Sequence, residues 1–484
     1  MGLLTRILRV PTIGKTVTKI LVRKGFKPLE IPIENALEKQ MTRLEKKFGR
    51  MEGTEIGRKL GVRSGTNLQD LPITDYSFYS DFFNNPTPSA FMYPLEDYVR
   101  ARTSGTSGVE KWFLLPKEAF PKAFRETGVL ILLSLFHDGD RITLEYGDVY
   151  YINSAPRPFI AGVMSSLEDT GGIVNVVPNF NLAYDDKVQY FIRNYEKIDA
   201  TGMLASTFVS QIMPALQKPI KLKGFAAMDS TVAEVYMKEI EEFVGAVPKS
   251  AYTSTETNHS SIASVQYPLG FIFDWRRGVF EVLPIKEGKR VKDELIGLED
   301  AKVGEVYNLI YTSFDGELTR YDTGDVLLCV ARGDDIINTD FPVFKFYARS
   351  EKTIELHSFT RISEEELLTV FKESNISLVD FTTRVEIDRG LQYLVIYMAY
   401  RGDMTTKDIE ERVHNKLFEI DRDYKELVEF FKYKPIRVQR VPKEVLEEYL
   451  RGKIAGVPKV EKIKMREEEF NRLLRIMERH KKCR

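Results

Sequence analysis

The middle of the chain alternates two periodicities. "RITLEY", "VYYINS", "GGIVNVVP" and "IDATGMLAS" are short apolar runs bounded by turn residues and read as strands. Between them, "DDKVQYFIRNYEKI" repeats its apolar positions every three to four residues, the spacing of a helix. "STVAEVYMKEIEEFVGAVP" does the same and closes before Pro248, after which "KSAYTSTETNHSS" reads as a strand end running into a polar loop. Strands alternating with helices predict an α/β architecture with mainly parallel sheets.

Upstream, Met41 to Leu71 is helical and charged, and "LPITDYSFYSDFF" is a turn followed by an aromatic-rich segment. Downstream of "GEVYNLIYTS", "YDTGDVLLCVA" and "FPVFKFYARSEKTIELHS" an α+β pattern begins. "RISEEELLTVFKES" is a helix with Ser363 as N-cap and Glu366 three residues on, the spelling of a capping box. "RVEIDRGLQYLVIYMAY" reads as two strands around an Asp-Arg-Gly turn, and "TTKDIEERVHNKLFEIDRDYKELVEFF" as helix. A chain of 484 residues exceeds what one core serves. The boundary is placed near Arg349 to Lys352. It separates a large N-terminal domain of mixed sheets flanked by helices (1–349) from a small, mobile C-terminal α+β domain (350–484).

Charge adds little to this picture. Lys plus Arg total 70 against 71 Asp plus Glu, so no global field advertises a nucleic-acid partner, and an anionic ligand must be met locally. Cys329 and Cys483 are too few for a zinc site or disulfide framework and fit a reducing, cytoplasmic setting. The five histidines show no metal-ligand spacing. The first 28 residues carry seven Lys/Arg and no acid, as an amphipathic helix docked on the protein or one lying on a membrane surface would. Arg9, Lys15, Lys19 and Arg23 interrupt every apolar run, so no signal core or integral membrane span is expected.

The chemistry is concentrated in three polar segments, each after an apparent strand: Thr103 to Lys111, Tyr252 to Asn258, and Tyr321 to Asp325. The first, inside "ARTSGTSGVEKWFLLP", offers hydroxyls, glycine backbone amides and a terminal cation. It reads as an oligophosphate cradle or as a polar surface turn. It lacks the Walker spacing, because two residues separate Gly105 from Gly108 and Trp112 follows Lys111. Neither is it the nucleophile elbow of a serine hydrolase, since Ser107 is followed directly by Gly108. In an open α/β sheet, loops beyond the strand ends share one crevice, where segments far apart in sequence can meet.

In this order and spacing, "TSGTSGVEK", "YTSTE" and "TRYDTGD" resemble the nucleotide motifs of the adenylate-forming superfamily. "LPITDYSFYSDFF" and "FPVFKFYARSEKTIELHSFTRISEEELLTVF" are similar to segments of the acyl acid amido synthetases, the hormone-conjugating enzymes of plants. The resemblance runs from about residue 70 to 460. It implies ATP-dependent activation of a small carboxylic acid to an acyl-adenylate, with Mg²⁺, followed by transfer to an amine. It further implies that Ser104, Gly105, Thr106, Ser107 and Gly108 grip the β- and γ-phosphates while Lys111 neutralises charge. Asp325 would accept the ribose hydroxyl protons, Tyr252 would stack on adenine, Thr255 would contact the α-phosphate and Glu256 would help hold Mg²⁺. Arg349 would reach ribose or phosphate.

Two departures bear on this. The first motif is one residue shorter before Lys111 than the family pattern, and Arg361 stands where the amido synthetases carry a lysine before the first small-domain helix. In "YLRGKIAGVPKVEKI", Lys453 is a second candidate for a mobile catalytic cation, with Lys459 an alternative. "GGIVNVVPNF" and "KIDATGMLAS" also match the layout of phenylacetate-CoA ligase, which would make the acceptor a coenzyme A thiol. A catalytically silent adenylate-binding protein is the reading from a different class. Phe159, Met164, Phe180 and Met203 lie in segments that line either an acid pocket or the core.

Overall fold

The structure is a computed structural model describing residues 3–103, 111–153, 160, 162–163, 170–286, 289–290, 295–349, 353–357, 359–451, 460–463, 465 and 467–482. The chain divides into two compact units, one of Met1–Thr103 with Lys111–Ser350, the other including Glu351–Arg484.

The first unit opens its strands with a hairpin, β1 (Tyr98–Thr103) and β2 (Lys111–Pro116). A parallel sheet follows: β3 (Asp148–Ile152), β4 (Val174–Val177), β5 (Ala200–Met203), β6 (Gly224–Ala227) and β7 (Pro248–Lys249), ordered β4-β3-β5-β6-β7. This is the sheet that the alternating pattern describes, with β5 buried along its whole length. "RITLEY" is not one of its strands. Only Ile142 makes a bridge, to His137, because the Asp138 carboxylate accepts the N–H groups of Asp140 and Arg141 and folds this segment into a turn.

The expectation of mainly parallel sheets fails beyond residue 260. There the chain builds an antiparallel sheet from β8 (Ser261–Ala263), β9 (Phe271–Phe273), β10 (Gly278–Lys286), β11 (Lys289–Arg290), β12 (Ile296–Gly297), β13 (Val306–Ser313), β14 (Tyr321–Asp334) and β15 (Thr339–Arg349). The order is β11-β10-β13-β14-β15-β9-β8, with β12 on β10. Short connections between long strands leave no room for crossover helices, so neighbours run antiparallel. An aromatic cluster including Tyr252, Phe271, Phe273, Phe280, Tyr307 and Phe344 fills one face.

At the N-terminus, the helix Pro11–Lys24 docks by one face. Gly14 and Thr18 are buried, Leu21 and Val22 pack toward Phe26 and Leu29, and a Cβ on Gly14 would meet the Tyr146 ring at 2.1 Å. Ile13 and Ile20 remain exposed on the same helix. Among the described residues, no helix is long and apolar enough to cross a membrane.

A buried lysine joins the two parts of this core. Lys249 of β7 donates to the carbonyls of Ser134 (2.7 Å) and Leu135 (3.4 Å) and to that of His137, at the end of the helix Val129–Leu135. Burial pushes its pKa down to about 8. Lys249→Met keeps the length but leaves carbonyls at a helix end without their donor, which costs about 2 kcal/mol. The denaturant midpoint is expected to fall accordingly; an unchanged midpoint would show these bonds contribute nothing net.

The second unit holds a hairpin, β16 (Thr353–Leu356) with β17 (Thr360–Ser363), and a sheet of β18 (Leu378–Asp388), β19 (Leu391–Tyr400) and β20 (Ile436–Arg440). Ser363 caps the helix Glu364–Glu373, and both bonds of the capping box form. The turn joining β18 and β19 has Arg389 and Gly390 both at positive φ, the backbone that matches strand twist in a two-residue hairpin. The long helical segment is two helices, Thr406–Ile420 and Arg422–Phe431. Asp421 breaks it, because its carboxylate accepts the N–H groups of Asp423 and Tyr424 and starts a new helix.

Candidate active site

The two flanks of the first polar segment, and the whole of the second and third, lie in the first unit. Register pairing from Tyr98↔Pro116 to Thr103↔Lys111 holds the two ends of the Ser/Thr/Gly stretch side by side. Ser104, Gly105, Thr106, Ser107 and Gly108 themselves lie outside the described residues. Lys111 stands at the loop end of the hairpin with its ammonium 5.6 Å from the Tyr76 ring centroid, and the Tyr76 hydroxyl accepts the N–H of Trp112 at 2.9 Å. Two residues further along β2, Phe113 meets Tyr321 edge-on at 6.0 Å.

Tyr321 to Asp325 does not follow a strand, as its polarity suggested, but opens β14. Asn308 pairs with Val326 and Ile310 with Asp322, so β14 carries extra residues at this point and bulges. Gly324 makes the bulge possible at φ +72°, a conformation other residues adopt only with strain. The Asp322 carboxylate pins it, accepting from Gly324 N at 2.9 Å and Asn308 Nδ2 at 2.8 Å. Asp325 leaves the bulge buried and lies opposite Arg349 in the strand register.

Tyr252 sits in the loop after β7. Its hydroxyl donates to Asp325 Oδ2 at 2.6 Å, and its ring stacks on Phe271 at 5.4 Å and meets Phe273 edge-on. The hydroxyl and one ring contact are thus committed to the protein, which makes Tyr252 a support for Asp325 whatever its other face does. Thr255 is buried in the turn that follows, and Ser254 N donates to Thr257 Oγ1 at 3.2 Å to close it. Glu256 lines a cleft with Leu114, Pro116, Arg277 and Asp315, so the hairpin and the second segment share a wall.

Ion pairs line the cleft. Arg277 lies 3.0 Å from Glu126 and 3.6 Å from Asp315, and Lys122 binds Asp315 at 2.6 Å. A second buried pair stands just before Tyr321: Arg320 makes two bonds of 3.1 Å to Glu281 and donates to the carbonyls of Leu71 (2.7 Å) and Gln69 (3.0 Å). Burial raises the Glu281 pKa against the pull of Arg320. Sequence reading misses these residues because their partners are far apart in the chain; only the "TR" before "YDTGD" marked Arg320, without indicating Glu281.

In the second unit, Arg361 of β17 faces Glu355 of β16 across the hairpin, 3.3 Å from its carboxylate. Lys453 and Lys459 lie outside the described residues, as do Phe159 and Met164. Met203 is fully buried at the end of β5, and Tyr311 and Trp275 are packing residues, their polar atoms bonded to the carbonyls of Arg277 and Pro28.

The fold recurs in solved structures of low sequence identity to this chain. It is shared with the solved AtGH3.15 acyl acid amido synthetase, at TM-score 0.53 and 17% identity over 95% of this chain and 96% of that one. It is shared too with 2-hydroxyisobutyryl-CoA ligase, at TM-score 0.64 and 12% identity over 94% of each. Within it, residues 271–349, which run from β9 to the end of β15 and include Asp325, match the GH3 family central domain. Similar curated proteins are a 4-substituted benzoates-glutamate ligase, GH3.12, of Arabidopsis thaliana, 30% identical over 30% of this chain, and jasmonoyl–L-amino acid synthetase JAR4 of Nicotiana attenuata, 22% identical over 37%. The matched stretches span 24% and 32% of those relatives' own lengths.

Proposed function

We propose that this chain is an AMP-forming ligase that activates a small carboxylic acid with ATP and transfers the acyl group to an amine. The observation that carries the reading is the Tyr252–Asp325 bond, which ties the second polar segment to the third. A carboxylate orientated by a buried tyrosine suits a ribose diol, which offers two hydroxyl donors and needs a fixed acceptor. The relatives named as amido synthetases and amino acid ligases favour an amine acceptor, and an amino acid in particular.

In the first step a carboxylate oxygen of the acid attacks the α-phosphorus of ATP, the bond to the β-phosphate oxygen breaks, and pyrophosphate leaves. In the second the amine nitrogen attacks the acyl carbon, the carbon–oxygen bond to AMP breaks, and the amine proton goes to solvent. Little covalent work falls to the protein, which must position the reactants and spread charge. Lys111 and residues 104–108 would take the β- and γ-phosphates, Thr255 the α-phosphate, Asp325 the ribose, and Arg349 ribose or phosphate. Glu256 would share Mg²⁺ with the phosphates, which fits an ion normally held by one or two carboxylates plus substrate oxygens. Bound there, the ion would offset phosphate charge.

Incubating the full chain with ATP, Mg²⁺, hydroxylamine and a panel of carboxylic acids tests the reading directly. Acid-dependent hydroxamate and AMP are expected, and their absence with every acid would leave a silent adenylate-binding protein. Replacing hydroxylamine with amino acids or coenzyme A decides the acceptor, and thioester in place of amide would reverse that part.

The second unit would rotate between the two half-reactions, bringing Arg361 to the phosphates for the first. Arg361→Ala is then expected to slow acyl-adenylate formation about tenfold or more, the worth of one charged contact of roughly 1.4 kcal/mol, and to slow transfer from preformed acyl-adenylate less. Equal effects on both would pass the role to Lys453.

A further inference from the structure

At the carboxyl end of β3 lies a polar side chain that the described residues do not bond. From β3 the chain moves outward to β4 on one side and then back to β5 on the other, so the strand order reverses between β3 and β5. In open α/β sheets ligands bind beyond the carboxyl ends of the strands at such a reversal. Asn153 is the first residue beyond the end of β3, and its N–H donates to Gly202 O at 2.9 Å, which holds it against the end of β5. Its side chain is not a surface group: the residue is 2% exposed, and among the described residues neither Nδ2 nor Oδ1 has a hydrogen-bond partner. On β5, in register with Tyr151, the Thr201 hydroxyl is buried in the same condition.

Leaving a desolvated polar group unbonded costs about 1–3 kcal/mol, so a buried amide with both functions unmet is stabilised only by a partner that arrives. The chemistry of the amide limits what that partner is. It presents a donor and an acceptor side by side, and a hydroxyl or carboxamide answers both. An ionised carboxylate answers only Nδ2. A hydrocarbon answers neither.

We infer, on the acid-activating reading above, that Asn153 is a specificity residue for the acid, selecting a carboxylic acid that carries an uncharged hydroxyl or amide group. A site built to bond such a group rejects the analogue lacking it, because the protein's own polar atoms are then left unpaired.

The test is acid-dependent ATP–pyrophosphate exchange by the full chain with matched acids: hydrocarbon acids, their hydroxy and carboxamide derivatives, and dicarboxylates of equal length. Wild type is expected to favour a hydroxy or amide acid over its hydrocarbon counterpart by at least tenfold in kcat/KM, with dicarboxylates poor. Asn153→Leu, which keeps the branched outline without the polar atoms, should bring that ratio toward one, and Asn153→Ala gives the same reading should the larger leucine fail to fit. A ratio unchanged in the variants, with only the melting temperature moved, would make Asn153 structural and overturn the inference. So would a wild type that prefers hydrocarbon acids. Exchange with no acid at all would instead sink the proposed function, and this inference with it.

Discussion

Asp325→Ala is expected to lower acid-dependent pyrophosphate release from ATP about a hundredfold or more, the loss of roughly 2.7 kcal/mol of transition-state positioning. The side chain is small, and the pairing of β14 with β15 around it is made by backbone groups, so the fold should survive. Tyr252 keeps its place among Phe271 and Phe273 through its ring, and the stability cost is about 1–2 kcal/mol for its unbonded hydroxyl. Far-ultraviolet circular dichroism and a denaturant melt check the fold, and nucleotide affinity by calorimetry checks the site. Wild-type pyrophosphate release would remove Asp325 from the site altogether. Asp325→Asn sharpens the test, since an amide can accept only one of two ribose hydroxyls and should fall between.

The second large effect is on stability. Arg320→Leu removes a guanidinium that bonds both Glu281 oxygens and the carbonyls of Gln69 and Leu71, and breaking one side of a buried ion pair costs about 3–5 kcal/mol. Most of that is the charge left behind on Glu281, so the loss depends on pH. Without its partner the Glu281 carboxyl is held further above its unfolded pKa. The native state then binds the extra proton, and stability falls as pH rises through the window between the unfolded and folded values. The deficit against wild type should therefore be largest near neutral pH and narrow toward the acid range, as urea melts at several pH values would show. Arg320→Leu combined with Glu281→Leu should recover much of the loss. A deficit independent of pH, or no recovery in the double variant, would place the cost in the lost carbonyl contacts. Arg320 also adopts φ +45°, strain that the Glu281 pair and the bond from its N–H to Thr312 Oγ1 hold in place beside the site.

Local grammar carried the reading furthest where structure is local. Ser363 and Glu366 are three residues apart, and a capping box needs nothing else, so helix and start were legible together. The Asp-Arg-Gly turn is equally self-contained, since a two-residue hairpin is set by which residues tolerate positive φ. Of the five parallel strands, β3, β4, β5 and the end of β7 were legible, β6 was not, and "RITLEY" was mistaken for a strand where the Asp138 carboxylate turns the chain at its start. The helical stretch before Phe431 was read as unbroken for a related reason: hydrophobic periodicity continues through Asp421, and a cap inside it has no effect on the period.

The sequence by itself also determined which residue types are present for phosphate and ribose chemistry, because hydroxyls, glycines, a lysine and an acid in three ordered segments are visible without coordinates. Only the tertiary structure decided what those segments do to one another. A bulge of two extra residues on β14 aims Asp325, and that depends on the register against β13, which no single segment encodes. Tyr252 reaches Asp325 across 73 residues, Arg320 reaches Glu281 across 39, and Asn153 is set against β5 by a strand pairing. Helix caps and turns are decided by bonds within a few residues, so a sequence displays them. Buried pairs and unmet polar groups are decided by which strands become neighbours and by what water is excluded from between them, and those appear only once the chain has closed on itself.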